Sequence, residues 1–231
     1  SRRRLVAGKT KVDLLITPAV TILTGGTVGI LVGPTISDFM SWLGSLINWG
    51  TVQQPIIMGI VVSVIMGMVL TLPISSAALG VILGLNGIAA GAAPIGCCCQ
   101  MIGFAVSSFR DNGLGGSLAQ ALGTSMLQVP NIVKRPLIWI PPIVSSAILG
   151  PIAIMPIFNM TNNPTGSGMG TSGLVGQIMT YQTMTATEPP ALVLIKIAVF
   201  HFILPAVITL AVAEGMRKIG YIHKNDMKLD V

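Results

Sequence analysis

The feature that most limits how this chain can fold is a series of nearly uncharged apolar runs, at residues 12–34, 55–72, 73–106, 136–158 and 191–213. An α-helix of about 20 apolar residues is what crosses the hydrocarbon core of a bilayer. Soluble domains carry roughly 25% charged residues. Here the charged share is 9%, the hydrophobic share 52% and the mean hydropathy +0.83, a surface that water would not keep dispersed. The chain therefore reads as an all-α polytopic membrane protein, one integral membrane domain over residues 1–231.

The basic residues give the orientation. Arg2, Arg3, Arg4, Lys9 and Lys11 precede the first run, and Arg110, Lys134 and Arg135 sit between later ones. Arg217, Lys218, Lys224 and Lys228 follow the last. A net charge of +6 would suit nucleic acid, but no aromatic residues are interleaved with these cations to form a stacking surface. Their position at segment ends is the positive-inside pattern. It puts both ends of the sequence on the cytoplasmic side of a cell inner membrane, so the crossings are even in number, about six. The basic lead-in can also touch anionic headgroups. Because Ser1 is followed directly by arginines, without Met or a cleavable apolar segment, the expectation is that an amino-terminal portion is missing or that a larger protein continues upstream.

Along the chain, Gly25, Gly29 and Gly33 bare one face of the first run for close helix packing. Residues 35–54 set Phe39, Trp42, Leu43, Leu46, Ile47 and Trp49 at helical spacing behind Ser37 and Asp38. That pattern predicts an amphipathic helix in the outer interface. In 73–106, Pro73, Gly80, Gly84, Asn86, Gly87, Gly91, Pro94 and Gly96 predict a pair of broken or re-entrant helices. Asn86 there either caps a broken helix or faces a cavity. Cys97, Cys98 and Cys99 are adjacent, which suits neither zinc nor a mutual disulfide, and they read as small buried side chains. Residues 117–129 lie between basic ends and form a cytoplasmic or re-entrant element. Pro141, Pro142, Pro151 and Pro156 interrupt the hydrogen-bond ladder of 136–158, producing the discontinuous helices that transporters use.

Residues 159–190, NMTNNPTGSGMGTSGLVGQIMTYQTMTATEPP, are the longest polar, glycine-rich interruption, with no Lys or Arg and Glu188 as the only charge. Irregular backbone at membrane depth is tolerated only where it is buried in protein or lines a water-filled cavity, so this stretch is the candidate solute site. Asn162, Asn163, Thr165, Ser167, Thr171, Ser172 and Gln177 supply neutral donors and acceptors, which suit a hydroxyl-rich solute better than an anion. The same composition also makes an ordinary external loop. Gly168, Gly170 and Gly173 spell GxGxxG, but without a preceding strand they read as places where backbone approaches a ligand. Glu188 is costly to bury and is a candidate acceptor for solute hydroxyls, with Lys196 two helical turns on as its partner or as a snorkelling side chain. His201 reads as a packing residue. The candidate solute ligands are thus Glu188, Thr187, Asn162, Asn163, Thr165, Ser167, Gln177 and Asn86. The sequence suggests no metal, no cofactor and no nucleophile–base pair, so no enzyme.

Thr187, Glu188 and Pro189 resemble the G-I-T-E-P signature of the membrane (IIC) components of the bacterial phosphoenolpyruvate-dependent sugar phosphotransferase system. The segments GFAVSSFRDNGLGGSLAQALGTSMLQVPNI and NNPTGSGMGTSGLVGQ look like the divergent IIC-like family that includes the regulatory protein of perfringolysin O production. The resemblance covers essentially the whole chain. It implies a homodimer with a scaffold part and a transport part, a glutamate in contact with sugar, and soluble IIA and IIB components that do the phosphorylation. Two departures stand out: Thr185 and Ala186 replace the glycine and isoleucine of the signature, and the polar stretch has no histidine. Two functions follow as expectations: an alternating-access permease for a small polar solute such as a sugar, or a membrane-embedded regulator that keeps the fold without transport.

Overall fold

The computed structural model describes Asp38 and residues 41–229. The chain divides into two compact units, Ser1–Trp42 and Leu43–Val231, and the fold set out below is that of the second. The run at 12–34, with its three spaced glycines, lies outside the described residues.

Helices make up nearly all of this unit. They are α1 (43–53), α2 (Pro55–Thr71), α3 (Ser76–Ile82), α4 (Gly87–Ser107), α5 (Phe109–Leu118) and α6 (Val129–Lys134). Then come α7 (Ile140–Ile154), α8 (Pro164–Ser167), α9 (Val175–Met184), α10 (Pro190–Ile197) and α11 (Leu204–Ile219). Among the described residues there is no strand, only an isolated bridge between Gly87 and Asn162. Among the described residues three stretches are long and apolar enough to cross a membrane: Gly87–Ser107, Pro136–Ile154 and Pro190–Ile219; Pro55–Thr71 is a shorter apolar helix.

The expected break points in 73–106 divide into two kinds. Chain direction does change at Pro73 and across Gly84–Gly87, where both glycines take positive φ (58° and 56°). Asn48 closes that second break: its amide donates to the Gly84 carbonyl at 2.9 Å and its Oδ1 accepts from the Asn86 N–H at 3.1 Å. Gly91, Pro94 and Gly96, in contrast, sit inside one uninterrupted 21-residue helix. Pro94 removes only the bond to the Ala90 carbonyl, and the neighbours that wall α4 hold the remainder straight.

Those neighbours make α4 the centre of the unit, with residues Ala89–Ala105 buried on every side. A helix buried all round needs no polar face. It is built from Ala, Gly and Cys rather than Leu because lipid tails are as apolar as Leu, so helices in a bilayer associate through close packing and shared hydrogen bonds. A Cβ on Gly96 would overlap the Ser63 carbonyl of α2, and one on Gly150 of α7 would overlap the Ser63 hydroxyl. Ser63 Oγ donates to the Ser146 carbonyl at 2.8 Å, so α2, α4 and α7 meet at one small-residue crossing.

Two apolar clusters flank it. Ile95, Cys99, Leu149, Met160, Met184 and Phe200 form the larger, and Phe158 meets Phe200 edge-on at 4.8 Å between ring centroids. Phe104, Ile132, Ile138, Ile222 and Met227 form the smaller, sealing the charged end. The last span runs from α10 to α11 through a π-helical turn, Ala198–Ile203. Pro205 causes this widening: without an N–H it cannot return a bond to the His201 carbonyl.

Candidate functional site

The polar stretch packs against α4 instead of standing clear of it. Met160 and Met184, at its two ends, belong to the larger apolar cluster. A Cβ on Gly91 would overlap the Met160 carbonyl, and Gly170 rests on Cys97 with φ of 53°, a left-handed conformation that a β-carbon would strain. Side chains fix the rest: Ser76 Oγ donates to the Gly168 carbonyl at 2.6 Å, Thr171 Oγ1 to the Ala121 carbonyl at 2.5 Å and Ser172 Oγ to the Gly123 carbonyl at 3.0 Å. Gly168 and Gly170 therefore lie where the stretch meets its own protein, whereas Gly173 is exposed, and among the described residues no strand precedes them.

Of the eight candidate ligands, Asn162, Asn163 and Ser167 come together around α8. Asn162 is buried; its amide donates to Thr180 Oγ1 at 2.9 Å and to the Gly176 carbonyl at 3.3 Å, and its Oδ1 accepts from the Asn163 N–H at 2.8 Å. Asn163 caps α8 by accepting from the Gly166 N–H at 2.9 Å, as its place before Pro164 favours. Ser167 Oγ donates to the Pro164 carbonyl at 2.8 Å, while Thr165 is exposed. Asn86 stands at the N-cap position of α4 but does not cap it; its amide folds back on the Gly84 carbonyl at 2.7 Å. The bridge between its neighbour Gly87 and Asn162 joins this break to the polar stretch.

Gln177 enters a separate buried contact. Its Nε2 lies 3.0 Å from His201 Nδ1 and 3.4 Å from Cys98 Sγ, bringing α9, the π-helical turn and α4 together. Gln177 Oε1 and His201 Nε2 are buried without a hydrogen-bond partner among the described residues. His201 was read from sequence as packing; its contact with a glutamine 24 residues away has no local signal. Thr180 was missed too, although Gln177 and Thr180 at i, i+3 share a helix face. Cys97, Cys98 and Cys99 are free and buried.

Glu188 and Thr187 lie at the other end, just before α10. Lys196 Nζ donates to Glu188 Oε2 at 2.6 Å, to Glu188 Oε1 at 2.7 Å and to the Phe158 carbonyl at 2.6 Å. All three ammonium protons are thereby engaged. The pair is mostly hidden, with the lysine side chain 10% and the glutamate side chain 20% exposed. A bidentate ammonium takes one lone pair from each carboxylate oxygen, so acceptor capacity remains on the exposed part of Glu188. Thr187 is exposed, its hydroxyl bonded to the Met184 carbonyl at 3.2 Å. Among the described residues no group of three His, Cys, Asp or Glu side chains is placed to hold a metal ion.

Compared with known families, residues 3–229 match the family described as phosphotransferase system, EIIC. No curated protein and no solved structure matches the chain.

Proposed function

The chain belongs to the phosphotransferase-system EIIC family, and on that premise we propose that it is a permease for a small polar solute, a sugar or sugar-like compound, working by alternating access. The single observation that carries this reading is the Glu188–Lys196 pair: a carboxylate held by both oxygens at the end of an irregular, buried segment, still 20% exposed. Lys196 fixes the direction of the Glu188 carboxylate, and the remaining lone pairs accept hydrogen bonds from solute hydroxyls. Thr187, beside Glu188 and exposed, would add a donor at the rim, and Thr165 and Asn86 are the other exposed candidates. Asn162, Asn163, Ser167 and Gln177 hold the segment in place, and would reach solute only if the segment opened. On this reading the protein acts in a cell inner membrane as a homodimer, takes its phosphoryl chemistry from soluble IIA and IIB partners, and is itself no enzyme.

A second reading, a regulator with the same fold and no transport, is favoured by the satisfied state of the segment: most of its polar side chains are bonded within the protein. Solute binding in detergent, across neutral hexoses, pentoses and polyols, tests the first reading. Glu188→Ala is expected to weaken binding at least tenfold; unchanged affinity across the whole panel removes Glu188 from the site. Solute accumulation in vesicles would end the regulator-only account.

A further inference from the structure

The charged end of the unit carries two adjoining cavities that the solute reading does not use. One is an apolar groove of about 440 Å³ between α4, α5 and α11, walled by Ile102, Val106, Phe109, Leu114, Leu118 and Leu210. That volume falls in the ordinary range for small-molecule sites. Ser117 also lines it, and its hydroxyl is buried with no hydrogen-bond partner among the described residues. The other cavity, about 280 Å³, is lined by Arg110, Asp111, Arg217, Ile222 and Lys224. Arg110 lines both.

The charges in the second cavity do not cancel. Glu214 pairs with Arg110 at 3.1 Å and with Arg217 at 2.6 Å. Arg217 also donates to the Ser107 carbonyl at 2.5 Å. Asp111 accepts from the Asn225 N–H at 3.2 Å, and its other oxygen has no hydrogen-bond partner among the described residues. Lys224 stands in no ion pair among the described residues. Three cations against two carboxylates leave one positive charge beside an apolar groove.

We propose that these two cavities together form a binding site for one anionic glycerophospholipid of net charge −1, its phosphodiester at Arg110 and Lys224 and an acyl chain in the groove. The match is between one surplus positive charge and a singly charged head, and between an apolar trough and a chain, with Arg110 at the junction. Phosphate oxygens accept from the arginine donors that Glu214 leaves unused. The Ser117 hydroxyl, left without a partner inside the trough, has an acceptor in the ester carbonyl of such a lipid. A zwitterionic lipid brings no net charge to offset the surplus.

The test uses the full chain, purified and delipidated, with lipid binding read by native mass spectrometry. The probes are phosphatidylglycerol, phosphatidylethanolamine and phosphatidylcholine of identical acyl composition, with inorganic phosphate as the head alone. Phosphatidylglycerol should be retained at least tenfold better than the other two, and Arg110→Gln should abolish that preference while Arg110→Lys keeps most of it. Leu114→Asn, at an exposed position that leaves the core untouched, should weaken phosphatidylglycerol several-fold without restoring the other lipids. Equal retention of the three lipids overturns the proposal. So does competition by inorganic phosphate at the concentration of the lipid, which would mean a plain anion site. A Leu114→Asn variant that changes oligomer mass but not lipid retention would assign the groove to a contact between copies of the chain, and also overturns it.

Discussion

Replacing Lys196 by Met tests whether the pair with Glu188 is a structural clamp, and its size follows from the geometry. Lys196 Nζ makes three bonds of 2.6–2.7 Å, two to the carboxylate and one to the Phe158 carbonyl, so it ties α10 both to the segment before it and to the chain leaving α7. At an effective dielectric near 20 the gross attraction of two charges 4 Å apart is about 4 kcal/mol. Removing one partner of a buried pair costs about 3–5 kcal/mol, because the other charge is left uncompensated. Here Glu188 keeps 20% of its side-chain surface, so water relieves part of the loss and about 2–3 kcal/mol is expected. For a chain of this length that corresponds to a fall in Tm of roughly 4–12 °C. Met preserves the aliphatic stem, so packing stays nearly constant. The double variant Glu188→Gln with Lys196→Met leaves no buried charge and should recover at least about half of the loss. Tryptophan fluorescence during thermal unfolding in detergent measures both. A Lys196→Met protein that melts with wild type, or a double variant less stable than the single one, would refute the clamp.

Two further predictions address packing and the C-terminal tail. Gly96→Ala should lower stability by about 1–3 kcal/mol, since its Cβ would overlap the Ser63 backbone where three helices meet. Gly115→Ala, with open space around it, should be neutral or slightly stabilising in the same melts. Asn112 holds the tail by donating to the Met227 carbonyl at 2.8 Å and accepting from the Leu229 N–H at 2.7 Å. Asn112→Ala should therefore speed tryptic cleavage at Lys224 and Lys228 severalfold, and an unchanged cleavage rate would show that the other anchors, the Gln128 and Asn131 amides on the Met227 and Lys228 carbonyls and the buried Ile222 and Met227 side chains, suffice without Asn112.

How much of this was legible beforehand depends on the range of the interaction concerned. The helices at 55–71, 136–154 and 190–219 follow the apolar runs to within a few residues, because span length is a property of the run itself. The Glu188–Lys196 pair was also visible as one of two alternatives; Glu188 precedes α10, so the turn into the helix, and not helical rise, brings the two side chains together. The continuity of α4 was not. Gly91, Pro94 and Gly96 are breakers for an isolated helix, yet Gly91 and Gly96 are what let Met160 and Ser63 approach, and those neighbours hold α4 together. The same signal that weakens a helix alone strengthens it in a crossing, and only the tertiary arrangement decides between them.

That distinction also separates the polar residues of the 159–190 stretch, which composition treats as one class. Asn162, Asn163 and Ser167 direct their side-chain bonds into the protein, and each bond closes a turn or joins two elements. Displacing any of them with solute would leave buried amide or carbonyl groups unpaired, at about 1–3 kcal/mol each. Thr165, Thr187, Asn86 and the open part of Glu188 are exposed, so a solute reaches them without displacing a buried bond. A solute therefore gains most by binding the second group and leaving the first intact. Thr187→Val should weaken solute binding without lowering Tm, whereas Asn162→Ala should lower Tm whether or not solute is present. If instead Asn162→Ala melts with wild type but loses solute, the segment must open to bind, and the division between scaffold and ligand residues drawn here would be reversed.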